Sequence, residues 1–197
     1  MKSLSRLSAK VVLALSLILL MGTISPVAQA GEMPKTKNVA GKSLKLLGTA
    51  LREFLFIDIY KLSAYSESGD CKQSAVIYNS EIKMLVLSMK KTLPKDRLVS
   101  TLRETFIDNL PAGKDNTELK NKIDVFLSYF THDIKKGSYI EIIYLPGRGT
   151  MIKQNGDQLG SITKGKGFAD LVWRSYFGPN TCCPGLKSDI LSECKAQ

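Results

Sequence analysis

The sequence predicts an α+β fold built on a mainly antiparallel sheet. Three observations predict it. Strand-like segments come in blocks and do not alternate with helices. Two segments with helical apolar stripes lie together in the middle of the chain. The length, 197 residues, suits one ordinary domain and is short for most two-domain enzymes.

The first 30 residues read as a signal segment set apart from the fold. Lys2, Arg6 and Lys10 make a basic start, Val11 to Ile24 is mostly apolar, and Pro26 breaks the run. Ala28-Gln29-Ala30 is a small-x-small cleavage site. Cleavage after Ala30 leaves a single domain, 31–197, in the periplasm or secreted. No later stretch approaches the roughly 18 apolar residues that span a bilayer, so no stable membrane span is expected after cleavage.

The first strand block runs from Val39 to about Ser66. Ser43-Leu44-Lys45-Leu46 alternates, Gly48-Thr49 reads as a turn, and Ile59 to Ser66 is extended. Ser74 to Tyr78 fits a short helix. Ile82 to Met89 is a near-continuous apolar run, which predicts a strand buried on both faces. Pro94 suits a first helical position, and Leu98, Leu102, Phe106 and Leu110 then recur every four residues. A second helix starts near Asn116, with Leu119, Ile123, Phe126, Leu127 and Phe130 on one face. Tyr139 to Leu145 is a strand, followed by a Pro146-Gly147-Arg148-Gly149 turn. Thr150 to Gln154 and Gln158 to Ile162 form a hairpin through Asn155-Gly156. A helix spans Phe168 to Phe177, Gly178-Pro179 stops it, and Gly185 to Leu191 adds a last short helix.

Charge and cysteine content narrow the chemistry. The formal charge of +10 falls to +7 without the three basic residues of the signal segment, which suits an anionic partner. Lysines are scattered, often beside Asp or Glu, with no basic run carrying interleaved aromatics, so a solvated Lys-rich surface is the favoured reading and nucleic acid is not an expected partner. Cys71, Cys182, Cys183 and Cys194 form an even set, which suggests disulfides in an exported chain. Of three possible pairings, one joins the adjacent Cys182 and Cys183 and strains the peptide between them. The other two tie Cys71 to the C-terminal region and close a short loop to Cys194. Three clustered thiols with no nearby His make a metal site improbable, and no cofactor is expected.

Catalytic signatures are sparse. The one histidine, His132, stands beside Asp133 at a helix end, where an exposed role fits better than a catalytic one. No Gly-x-Ser-x-Gly elbow accompanies it. Gly147-Arg148-Gly149 lacks the Gly-Lys-Ser/Thr continuation of a phosphate loop. The polar residue that stands out is Arg52, inside the otherwise burial-prone Leu51-Arg52-Glu53-Phe54-Leu55-Phe56. A buried Arg needs an anion, and the plain partners would be Glu53 or Asp58. Tyr60 and Tyr65 are nearby donors. On one straight strand Arg52 and Tyr60 would stand about 26 Å apart, at roughly 3.3 Å per residue. They meet one headgroup only if the chain turns between them, where Asp58 is the only turn former.

Leu47-Gly48-Thr49-Ala50-Leu51-Arg52 followed by Ile59-Tyr60-Lys61-Leu62-Ser63-Ala64-Tyr65 resembles the opening of the chalcone isomerase-like superfamily. Phe168 to Trp173, Tyr176-Phe177-Gly178-Pro179-Asn180 and Gly185 to Leu191 are similar to its closing helix, turn and final segment. The resemblance covers about Val39 to Leu191, and an exported bacterial member is the nearest type. It implies an open-faced β-sandwich: an antiparallel sheet with helices packed on one face and a ligand cleft between them. It also implies that Arg52 and Tyr60 hold a ligand's anionic group, with Thr105 on the first long helix and Ser175 near the chain end as further pocket positions. Leu98 and Thr105 fall where the true isomerases carry Tyr and Asn. The expected role is therefore non-catalytic binding of a small amphipathic anion such as a fatty acid. The alternative is an isomerase, an intramolecular lyase, acting on a phenolic or enone substrate.

Overall fold

Seven strands follow one another in space as they do along the chain: β1 (Thr36–Val39), β2 (Lys42–Phe54), β3 (Ile57–Ser66), β4 (Lys83–Met89), β5 (Tyr139–Leu145), β6 (Gly149–Gln154) and β7 (Asp157–Ile162). Every neighbouring pair is antiparallel. The computed structural model describes residues 33–196, so the signal segment and its cleavage site lie outside the described residues. Among the described residues five helices accompany the sheet: α1 (Gln73–Tyr78), α2 (Lys95–Asp108), α3 (Thr117–Ser128), α4 (Lys166–Phe177) and α5 (Pro184–Ala196). The architecture is the expected α+β one, an antiparallel sheet with helices on one face.

The two faces of the sheet differ. Leu47, Leu62, Leu85, Leu87, Ile142 and Ile152 join Phe106, Phe126, Phe168, Trp173 and Ile190 of the helices in one buried cluster. Leu44, Leu46, Tyr65, Met84, Val86 and Ile143 form a smaller cluster on the other face, with no helix residue in it. β4 serves both faces, which is why its sequence is a near-continuous apolar run. Burying a side chain such as Phe126 contributes roughly 1.5–3 kcal/mol.

Gly48-Thr49 is not a turn but lies within β2, beside a register shift between Leu46 and Gly48. That shift moves the buried even-numbered positions of β2 from one face of the sheet to the other, since Leu44 and Leu46 belong to the second cluster and Ala50 to the first. The glycine answers to tertiary packing. A Cβ on Gly48 would stand 2.7 Å from the Ile190 carbonyl oxygen, so only Gly lets α5 lie this close to β2. Glu193 fastens the contact by accepting a 2.8 Å hydrogen bond from the Thr49 N–H. Pro94 caps α2 and is not its first residue; the Lys95 N–H donates to Asp133 Oδ1 at 3.0 Å. The last helix runs to Ala196, beyond the expected Leu191.

Cys71 and Cys194 form a disulfide, with Cα atoms 5.7 Å apart across 123 residues of chain. This corrects both pairings favoured on strain grounds, which joined Cys71 to Cys182 or Cys183. The reason is the path of α5. It folds back along β2 and carries Cys194 to the segment before α1, while Cys182 and Cys183 remain free thiols before its first turn.

Lys83 on β4 is fully buried. Its ammonium donates to the Val76 and Ile77 carbonyls at 3.0 and 2.7 Å, the otherwise unpaired C-terminal groups of α1. It also lies 4.9 Å from the centre of the Trp173 ring. Desolvation lowers its pKa from 10.5 to about 8. Unfolded chains then bind more protons than folded ones between pH 8 and 10.5, so this group makes stability rise with pH in that window, by at most about 3 kcal/mol. Buried Tyr65 and Tyr176 and partly buried Tyr60 act oppositely above pH 10, because desolvation raises their pKa values. Lys83→Met removes the first effect alone. The stability difference between wild type and K83M, measured by urea unfolding, is expected to shift in favour of the wild type from pH 8 to pH 10. A constant difference would contradict the buried-ammonium reading.

Candidate functional site

The chain reverses between β2 and β3 at Leu55 and Phe56, both at positive φ (49° and 63°). The reversal makes Arg52 and Tyr60 direct cross-strand partners, despite a bulge between Arg52 and Glu53. Directly opposite residues share a face of the sheet, with Cβ atoms about 5 Å apart. The turn was hidden in the sequence because neither Leu nor Phe is a turn former. Non-glycine residues in this region cost on the order of 1 kcal/mol each.

Arg52 is half-buried. Among the described residues no carboxylate lies within ion-pair distance of it, so neither Glu53 nor Asp58 neutralises it. Its neighbours are Cys182 and Cys183, whose thiols feel its positive field. The two sulfurs lie 2.7 Å apart. The hydrogen bond between them lowers the pKa of Cys183 and raises that of Cys182, and the Arg52 charge and a Tyr60 hydrogen bond further favour a Cys183 thiolate. Tyr60 is held neutral, chiefly by burial and also by Tyr176 and the two cysteines. Tyr176 is buried beside it and likewise neutral, mainly from desolvation. The cluster therefore presents one guanidinium with no carboxylate partner, two neutral phenols and a cysteine pair whose Cys183 is the more acidic member. Its chemistry is that of an anion site with hydroxyl donors.

The other two expected positions lie elsewhere. Thr105 on α2 is half-buried, and its hydroxyl donates to the Thr101 carbonyl. Ser175 is buried with its hydroxyl donating to the Leu171 carbonyl, although its own carbonyl accepts from the Cys182 N–H and so borders the cluster. Tyr176 and the thiol pair were missed as site residues. Tyr176 sits inside an apolar helix pattern, and the cysteines read only as disulfide candidates. His132 is exposed, its Nδ1 2.8 Å from the Thr131 hydroxyl, while Asp133 serves the start of α2.

The space between sheet and helices is filled by aromatic rings: Phe126 lies 5.7, 5.8 and 5.3 Å from Phe106, Phe130 and Phe168, centroid to centroid. Two open cavities lie away from Arg52. One, of 260 Å³, is bordered by Tyr129, His132, Asn155 and Leu159. The other, of 520 Å³, lies over the helix-free face, where Met84, Ile143 and Met151 are rimmed by Lys37, Arg148 and Lys153. No cluster of three or more His, Cys, Asp or Glu capable of holding a metal occurs among the described residues. No helix among them is long and apolar enough to cross a membrane.

A meander sheet covered on one face by helices, with an Arg–Tyr pair across the second hairpin, defines an α+β class of fold. The chain belongs to the chalcone isomerase-like family, whose model matches residues 27–192. Among solved structures, the chain is similar to the crystal structure of a fatty-acid binding protein from Arabidopsis thaliana, with a TM-score of 0.63 and 19% identity, covering 83% of this chain and 93% of that one. At that identity the likeness concerns the fold. No curated protein matches the sequence.

Proposed function

We propose that this protein is an exported, non-catalytic carrier of a small amphipathic anion such as a fatty acid. The observation that carries the reading is the half-buried Arg52 guanidinium, unpaired by any described carboxylate and facing the same side as Tyr60. Leaving such a charge without an anion is costly, and a ligand carboxylate would satisfy it with a charge-assisted bond. Tyr60, kept protonated by burial, supplies a second donor. The fatty-acid binding activity named for the Arabidopsis protein of similar fold agrees with this chemistry. The tail would enter between sheet and helices, where the Phe106, Phe126, Phe130 and Phe168 rings must part to admit it. The hydroxyls of Thr105 and Ser175 are already committed to backbone carbonyls, which favours binding over an isomerase needing more polar contacts.

Extraction of the natively purified protein under denaturing conditions, followed by mass spectrometry, tests the proposal. A stoichiometric amphipathic acid is expected. An empty protein that converts a chalcone above the background rate would overturn it in favour of the isomerase.

A further inference from the structure

The hairpin that carries Arg52 and Tyr60 ends in an unusual tip. Phe56 is 101% exposed and Leu55 73%, and Leu51, Phe54 and Ile57 are also exposed. Of nine exposed large hydrophobic residues in the described chain, five fall within the seven positions Leu51 to Ile57. Scattered surface hydrophobics are ordinary, but a contiguous set at a projecting tip marks a contact surface. The turn is also the wrong chemistry for its geometry. The hairpin turns Ala40-Gly41 and Asn155-Gly156 each place a glycine at positive φ, whereas here Leu55 and Phe56 adopt it. Neither folding nor solubility rewards this pair, because it adds backbone strain and exposes two large side chains to water.

Charge around the tip is mainly positive. Arg97 on α2 stacks 5.7 Å over the Phe54 ring, Lys61 is the cross-strand partner of Leu51, and the Lys90 and Lys91 N–H groups both donate to the Ile59 carbonyl. With Arg52 these make five cations. Glu53 and Asp58, paired across the strands, are the opposing anions, while Lys95 and Asp96 pair with each other at 3.5 Å. An apolar tip inside a net-cationic collar matches an anionic lipid surface, where the side chains reach the acyl boundary and the cations reach the headgroups.

We propose that the β2–β3 hairpin tip docks on anionic phospholipid membranes, with Leu55 and Phe56 inserting and Lys90, Lys91 and Arg97 facing the headgroups. Arg52 stands three residues behind Leu55, about 10 Å along the strand, so the hairpin enters tip-first without burying its own anion site. Docking does not require the carrier reading, because it rests on the tip and its collar alone.

Flotation with phosphatidylcholine vesicles, with and without added phosphatidylglycerol, tests the proposal. The wild-type protein is expected to float with the anionic vesicles and to be released by salt. Leu55→Asn with Phe56→Gly supplies residues suited to the turn, so this variant keeps the fold. It is expected to lose vesicle binding about tenfold or more. Lys90→Glu with Lys91→Glu is expected to abolish the preference for anionic lipid. Wild-type protein that ignores both vesicle types, or an L55N/F56G variant that floats unchanged, would overturn the docking. So would light scattering that shows a wild-type dimer and a monomeric L55N/F56G, since the tip would then be a contact between copies. Fatty-acid titration of L55N/F56G reports separately on the Arg52 site.

Discussion

Replacing Cys71 and Cys194 by serine is expected to lower the stability of the fold by about 2–5 kcal/mol. The bridge spans 123 residues, and the chain-entropy model assigns a loop of that size about 5 kcal/mol as an upper figure. It also acts where packing is tight. α5 lies against β2 through Gly48 and the Thr49–Glu193 hydrogen bond, and Cys194 ties the far end of that helix. Urea unfolding of C71S/C194S should show a lower midpoint. Cys182→Ser and Cys183→Ser should leave the unfolding free energy within about 1 kcal/mol of wild type, because neither closes a long loop. The reverse pattern, with C182S or C183S strongly destabilising, would mean that Cys71 pairs with one of them.

Arg52→Ala is expected to weaken binding of a long-chain fatty acid by about 10- to 100-fold without lowering the thermal stability of the ligand-free protein. The scale follows from one charge-assisted bond worth roughly 1.5–3 kcal/mol. Stability is expected to hold because Arg52 forms no ion pair that the fold depends on and stands where the hairpin leaves the core. Tyr60→Phe should cost less, about tenfold at most, since a neutral hydroxyl contributes roughly 0.5–1.5 kcal/mol. Two controls separate charge from packing. A fatty alcohol of the same chain length should bind wild type and R52A equally, and Arg52→Lys should recover part of the acid affinity. Equal acid affinity in wild type and R52A would remove Arg52 from the headgroup role.

The sheet and helices were legible because period-2 and period-3.6 patterns report burial directly: β4, β5, α3 and α4 stand close to where those patterns place them. Features that depend on contacts between distant segments were not legible. Gly48 reads as a turn residue, yet it is a strand glycine made necessary by Ile190, far along the chain. Leu55-Phe56 reads as strand interior, yet it turns against its own propensity. Cysteine pairing followed the path of α5, which no local pattern encodes. Arg52 and Tyr60 were legible as a pair through the family resemblance. Tyr176 and the thiols beside them became visible only when α4 and the segment before α5 closed over the hairpin. Lys83 lay hidden inside an apolar run, because its carbonyl partners belong to α1.

The most direct test of the carrier reading is a crystal structure of the protein bound to a long-chain fatty acid. The expected result is a carboxylate within hydrogen-bonding distance of the Arg52 guanidinium and the Tyr60 hydroxyl, with the chain running between sheet and helices. A carboxylate seated instead on Lys37, Arg148 and Lys153, over the helix-free face of the sheet, would contradict it.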